Sequence, residues 1–501
     1  MLRNIGSNWV LVLATIGVTY VLTPFLIETL GEEGYGTWTL IVSFTAYIGL
    51  LALGVPMACV RYLAQHVAER DARMLNAMIG SCAALYLVIS VLAIVVGALS
   101  MRLFGLYEIP AAYAAQAPLA FALMVVYVSA GFVGLLPEGI LFAHHAFVPR
   151  NLVRITGVVL RLGLTIVVLR FAASLVLLAL VQIGCLLFDV CATWLIIRRR
   201  YPDVRLNLGD ASLAMVRRIL SFSMYAVLLA AGARLSFETA ALVIGATLGV
   251  ASIPFYVVAN NLIVYLMEFV IAIAAVVSPM ATSLATSGRR DELREMFLKW
   301  SKVALSLTLM AGLFLLVLGP RFIGWWIDPA YERDAGAVLQ ILTLSSLVFL
   351  PVRGVAVPVL MGMGRPKAPA VATFVAGLAN LALSLVLVGP LGLVGVALGA
   401  AIPNVLLALL ILAVACRELE VTPVRYLQYV VPRAALGALP ILALLLWFRV
   451  GLQVHSVSGL AAAGTAMMLL FGVTWAFYVY RDDPYVDMRT HMIRLRAWSR
   501  A

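Results

Sequence analysis

Apolar stretches long enough to cross a bilayer recur almost without a break from Trp9 to Tyr480. One crossing helix takes about 20 apolar residues. Windows of that length place fourteen spans: 8–28, 36–58, 77–99, 114–136, 148–169, 172–197, 216–236, 241–275, 301–319, 335–360, 368–389, 393–415, 427–448 and 456–480. Prolines within or beside them (Pro24, Pro56, Pro137, Pro351, Pro358, Pro403) are tolerated, because neighbouring helices satisfy the freed backbone groups. The ten-residue alternation of a membrane barrel is absent, so the expected class is an all-α integral membrane protein. Composition agrees. Mean hydropathy is +1.07 and charged residues are 12%, about half the share of a soluble domain.

The cations test this map. With both termini taken as cytoplasmic, 28 of the 35 Lys and Arg fall on the cytoplasmic side. Five (Arg102, Arg170, Arg321, Arg333, Arg449) fall on the other, and Arg161 and Arg234 lie inside spans. Such a bias is the positive-inside signal. The net charge of +12 is therefore topological, and nucleic acid is not an expected partner. The first apolar stretch reads as a span rather than a removable leader, since Glu28-Thr29-Leu30-Gly31 follows it instead of a small-residue cleavage site.

Internal matches suggest two halves. Leu30-Gly31 recurs as Leu248-Gly249, and Pro149 recurs as Pro369, at nearly the same offset. Six spans per half give a parallel repeat about an axis along the membrane normal. The expected organisation is a six-helix lobe over 1–200, a basic cytoplasmic linker over 201–218, and a second six-helix lobe over 219–416. Two additional helices over 417–480 and a basic cytoplasmic tail over 481–501 complete it. Residues 287–302 read as a short cytoplasmic helix, with Asp291, Glu292 and Glu295 early and Lys299 and Lys302 late. The tail, with Met488, Met492, Leu495 and Trp498 among its cations, reads either as a segment lying on the inner leaflet or as a solvated end.

Enzyme chemistry finds no foothold. No phosphate-binding loop of the Gly-x4-Gly-Lys-Ser/Thr type occurs. Cys59, Cys82, Cys185, Cys191 and Cys416 lack metal or disulfide spacing. His144 and His145 are adjacent, so on a helix they face different ways. No cofactor, no metal and no catalytic residue is expected.

Function then rests on charges inside the membrane, which are costly and usually line a cavity. Arg161 lies roughly 20 Å along the fifth span, seven residues after Arg154 on the same helix face, with Arg150 one turn earlier. Arg150 and Arg154 can snorkel to the interface. Arg161 either faces a water-filled cavity or pairs with Asp189 on the sixth span. Arg234 and Glu238 lie four apart near the outer end of the seventh span and can neutralise each other. Arg353 sits between Pro351 and Pro358, and Arg61 ends the second span. Glu28, Glu138, Asp189 and Glu268 are candidates for ion coupling, with interfacial capping as the alternative for Glu28 and Glu138. Basic groups in both halves suit an anionic substrate, since the arginine fork matches phosphate oxygens.

Ser7-Asn8-Trp9, Thr23-Pro24-Phe25-Leu26, Leu30-Gly31, Tyr35-Gly36-Thr37-Trp38, Leu53-Gly54 and Arg61-Tyr62 together resemble the N-terminal region of the bacterial polysaccharide transporter (O-antigen flippase) family. That family belongs to the multidrug/oligosaccharidyl-lipid/polysaccharide exporter superfamily. Gly362-Met363-Gly364-Arg365-Pro366 and the run from Gly392 to Ala401 resemble later parts of it. The resemblance implies two six-helix lobes around a cavity, alternating access, and transfer of a polyprenyl-diphosphate-linked oligosaccharide across the bacterial inner membrane for O-antigen, capsule or exopolysaccharide assembly. It implies cationic cavity residues, here Arg61, Arg161, Arg234 and Arg353. Membrane lipids and a polysaccharide polymerase or glycosyltransferase are the implied partners. A peptidoglycan-precursor flippase and a cation-coupled multidrug extruder share that fold and stand as alternatives. A membrane polysaccharide polymerase or ligase would need a large outer loop, and the longest here is about Gly319 to Ala335.

Overall fold

The computed structural model describes residues 2–52, 54–221, 224–454, 456–481 and 483–485, with the side chains of 2–6, 8, 9, 221, 224 and 226 left aside. Of the basic tail, the stretch carrying Met488, Met492, Leu495 and Trp498 lies outside the described residues, as does Leu53. Among the described residues there is no β-strand. The helices divide into two compact units, Met1–Pro254 and Phe255–Ala501.

The first unit holds α1 (Leu2–Ile48), α2 (Val55–Glu69), α3 (Ala72–Phe104), α4 (Ala111–Ala114), α5 (Ala117–Ala143), α6 (Phe147–Phe171), α7 (Leu175–Arg200), α8 (Leu213–Ser221), α9 (Met224–Phe237) and α10 (Thr239–Thr247). Here α5 packs between α3 and α7, and α1 packs along α6. Residues 219–247, which the sequence reading gives to the second lobe, also pack in this unit: α8, which begins in the linker, touches α2 and α3, and α10 touches α1. The second unit is built from α11 (Ile253–Thr286, entering from the first unit), α12 (Arg290–Val317), α13 (Gly319–Trp326), α14 (Tyr331–Gly362), α15 (Lys367–Glu418), α16 (Pro423–Leu446) and α17 (Val457–Thr474). Its centre is α14, packed on α12 and α15.

Among the described residues, twelve helical segments are long and apolar enough to cross a membrane. Two of them are too long for one crossing. At 1.5 Å per residue, the 47 residues of α1 and the 52 of α15 each exceed twice the ~30 Å hydrocarbon core. Each is interrupted by a glycine with non-helical backbone, Gly31 (φ 69°, ψ 174°) and Gly392 (φ 57°, ψ −135°). The two ends of α15 meet: Arg365, just before its start, lies 3.6 Å from Glu418 at its end. The helix therefore doubles back at Gly392 as two spans. With α1 divided at Gly31 in the same way, twelve helices supply the fourteen expected spans.

The repeat signals coincide in backbone terms. Gly31 and Gly249 share one conformation, φ 69°, ψ 174° and φ 86°, ψ 158°. Pro149 and Pro369 are each the third residue of their helix, α6 and α15. The two last spans pack on α12 through Leu313, Val317, Ile441, Leu445, Leu460, Ala463 and Met467.

Three local expectations change. The seventh and eighth spans run Val227–Thr247 and Val250–Thr286, not 216–236 and 241–275. The reason is that Glu238 keeps right-handed helical torsions (φ −101°, ψ −16°), and the chain turns at Gly249 instead. Residues 287–302 form no separate helix. From Arg290 they are the first turns of α12, set off from α11 by Gly288 (φ 71°). The second span is interrupted at Gly54 (φ 73°), so Arg61 stands within α2 rather than at the end of an unbroken helix.

Candidate functional site

Of the eight candidate charges, three come together in the first unit, at the meeting of α5, α6 and α7. Helix α6 brings Arg150, Arg154 and Arg161 down one stripe, because positions four and seven apart share a face. Helix α5 supplies Glu138 and α7 supplies Asp189. Arg150 pairs with Glu138 at 3.3 Å, both side chains partly shielded. Arg161 lies beside the thiol of Cys185, one turn before Asp189 on α7. Asp189 lies within the field of Arg161, Arg154 and Glu138. Arg161 and Asp189 do not close into an ion pair among the described residues. Instead Arg161 Nε and Asp189 Oδ1 are both buried without a hydrogen-bond partner. In hydrocarbon such groups are expensive unless a ligand or water completes them. Gly157 makes room: a Cβ there would stand 2.3 Å from Asp189 Oδ1.

Arg234 and Glu238 form an i,i+4 ion pair at 2.9 Å. With the seventh span at Val227–Thr247, this pair sits mid-span and not near the outer end. Next to it, the Tyr47 and Thr239 hydroxyls are 2.5 Å apart, and Tyr47 feels both charges. In the second unit, Arg353 on α14 lies over the Phe349 ring at 5.5 Å and within the field of Glu268 on α11. The two helices approach closely there, Gly354 facing Val270. Arg61 is exposed on α2, 6.0 Å from the ring of Tyr62, which Arg218 also approaches at 4.7 Å. Glu28 is exposed near the end of the first span and joins none of these groups.

Two clusters escape sequence reasoning. Lys302 of α12 and Asp483 form a fully buried ion pair at 2.5 Å. Tyr429 donates to both Asp483 oxygens (2.7 and 2.9 Å), and Lys302 also donates to the carbonyl of Val479 at 3.0 Å. The rings of Tyr429 and Tyr480 flank the ammonium at 4.8 and 4.9 Å. Separately, Cys59 of α2 lies against Cys82 and Tyr86 of α3. Neither cluster is announced by sequence spacing, since each brings together segments far apart in the chain or on different helices. No group of three metal-ligating side chains occurs among the described residues. His144 stacks on Tyr201 at 4.0 Å, and burial, then the charge of His145, hold its imidazole below the ordinary value.

These features define a class: a many-spanning helical membrane protein with charges built into its helices. Comparison with solved structures places its fold. The lipid II flippase MurJ in an inward closed conformation superposes with a TM-score of 0.72, at 14% identity, covering 96% of this chain and 99% of MurJ. An inward-facing multidrug resistance MATE transporter of the MOP superfamily gives 0.67 at 17% identity, covering 82% of this chain and 94% of that one. Among curated sequences, the uncharacterized membrane protein EpsK of Bacillus subtilis (strain 168) is 22% identical over 416 residues, 80% of each chain. Residues 1–285 match the model of the polysaccharide biosynthesis protein family, and the chain belongs to that family.

Proposed function

We propose that this protein is a flippase: it carries a polyprenyl-diphosphate-linked oligosaccharide across the bacterial inner membrane by alternating access, for O-antigen, capsule or exopolysaccharide assembly. The observation that carries the reading is the α6 stripe. A family devoted to polysaccharide biosynthesis here sets Arg154 and Arg161 along one face of a membrane helix, with Arg161 Nε and Asp189 Oδ1 left unpartnered. A diphosphate or acidic sugar supplies the acceptors such an arginine lacks. A polar head cannot cross hydrocarbon unaided, while a polyprenyl tail remains soluble in it. In this reading Arg61, Arg161, Arg234 and Arg353 contact substrate, and Glu28, Glu138, Asp189 and Glu268 are candidates for ion coupling. Both termini are cytoplasmic, and a polymerase or glycosyltransferase acts on either side of the transfer step. Movement of a lipid requires no bond-making residue, so the protein is not proposed as an enzyme.

The test is complementation of a strain lacking its own oligosaccharide flippase. Arg161→Ala is expected to abolish polymer export with membrane abundance near normal, and Arg161→Lys to retain part of it, because charge remains and only the fork is lost. If Arg161 merely neutralises Asp189, Arg161→Ala lowers abundance instead and Asp189→Asn restores it. Full export by Arg161→Ala at normal abundance refutes both roles.

A second reading is favoured by one finding. The fold agreement with a lipid II flippase extends over 96% of the chain, whereas that with the multidrug transporter covers 82%. Transfer of a peptidoglycan precursor uses the same lipid-diphosphate chemistry. Complementation of a strain depleted of its lipid II flippase separates the two.

A further inference from the structure

The two arms of α15 enclose a groove of about 630 Å³ within the second unit. Its floor is lowered by Ala372 and Ala376, and Val375, Leu406 and Leu410 stand exposed around it. No polar side chain lines the groove between Ala368 and Val414. At one end only, the lining turns charged, with Arg365, Lys367, Arg417 and Glu418. The turn at Gly364 (φ 72°) delivers Arg365 and Lys367 to that mouth. Glu418 lies 3.6 Å from Arg365 and 3.9 Å from Arg417, so one carboxylate faces three cations. The next acid, Glu420, is engaged by Arg290 and Arg294. The mouth therefore keeps a surplus of positive charge beside a purely apolar trough.

We infer that this groove is a binding site for an anionic glycerophospholipid, its phosphate held by Arg365, Lys367 and Arg417 and an acyl chain lying over Ala372 and Ala376. Basic pockets between membrane helices at the inner interface recognise lipid headgroups in this manner. A zwitterionic lipid fits the trough equally but brings its own cation to a mouth already cationic. Under the topology proposed above, the mouth meets the cytoplasmic leaflet. The site is separate from the α6 stripe, which belongs to the first unit.

The experiment uses the purified full-length protein in detergent micelles, where binding is blind to orientation and independent of transport. Fluorescent phosphatidylglycerol is displaced by unlabelled phosphatidylglycerol or by phosphatidylcholine of the same chains. Each surface cation contributes about fivefold to anionic-lipid affinity, so the mouth's surplus of two gives an expected preference of roughly twenty-five-fold for phosphatidylglycerol. Arg365→Gln with Lys367→Gln should reduce that preference to about one. Ala372→Phe, which fills the trough and spares the charges, should weaken both lipids. Undiminished preference in the double variant, or unchanged binding in Ala372→Phe, overturns the site. Tighter binding of a polyprenyl phosphate than of phosphatidylglycerol, lost in both variants, overturns the occupant. Hydrogen exchange on the unsubstituted chain guards against misfolded variants. Amides of residues 362–372 should exchange more slowly in phosphatidylglycerol than in phosphatidylcholine nanodiscs, and equal rates count against the proposal.

Discussion

At the scale of single residues, the membrane setting makes every buried charge a choice between a partner and a function. Lys302 has its partner. Its side chain is 1% exposed and that of Asp483 0%, with Tyr429, Tyr480 and the Val479 carbonyl closing the rest of the shell. Removing one member of such a pair leaves an uncompensated charge, at a cost of about 3–5 kcal/mol. Lys302→Met is therefore expected to lower the thermal midpoint of the solubilised protein and expose the C-terminal end to protease. Lys302→Met combined with Asp483→Leu should recover most of the loss, since the pair itself adds little over apolar packing. Arg161 lacks such a shell, which is why its replacement is expected to touch export before abundance. Gly157→Ala joins the two cases: its methyl would strike Asp189, so export should fall although no charge is removed. The Lys302 pair was not legible in the sequence. Its members stand 181 residues apart, and in the sequence Lys302 reads as a late cation of a short cytoplasmic helix.

At the scale of elements, apolar length and charge bias make the spans legible and leave their breaks hidden. Windows on the sequence separate 8–28 from 36–58 and 368–389 from 393–415 because Glu28, Glu32 and Glu33, or a Gly-Pro pair, interrupt the apolar runs. They misplace the seventh span because Arg234 and Glu238 look like an interface, whereas as an i,i+4 pair they neutralise each other within the helix. The turn at Gly249 leaves only a glycine as its trace. That glycine and Gly31 occupy a backbone region that is essentially restricted to glycine and costs about 1–3 kcal/mol for other residues. Gly31→Ala and Gly249→Ala should each lower thermal stability by about that amount, while Gly163→Ala, in an open stretch of α6, should leave it nearly unchanged. Equal melting of all three variants would show that the two turns relax freely.

At the scale of the whole molecule, the decisive quantity is the number of crossings, because it fixes which face each charge occupies. The meeting of Arg365 with Glu418 requires α15 to return to the side it left, and with α1 divided at Gly31 as well the twelve helical segments make fourteen crossings, an even count. The 28-to-5 division of cations is the ground for the proposal that both ends of the chain are cytoplasmic. This is testable in intact cells with a membrane-impermeant maleimide, in a Cys191→Ala background, since the other four cysteines are buried. Single cysteines replacing Glu108, Asp328 and Leu391 should label from outside. Those replacing Asp203, Asp291 and Glu420 should label only after permeabilisation. All six positions are exposed, so a negative result reflects sidedness and not burial. Labelling of Leu391→Cys and Glu420→Cys from the same face would mean that the second arm of α15 does not cross. Reversal of all six would keep the fold and invert the molecule, placing the groove mouth and most of the arginines in the outer leaflet, where an inner-leaflet lipid and a cytoplasmically made oligosaccharide could not reach them.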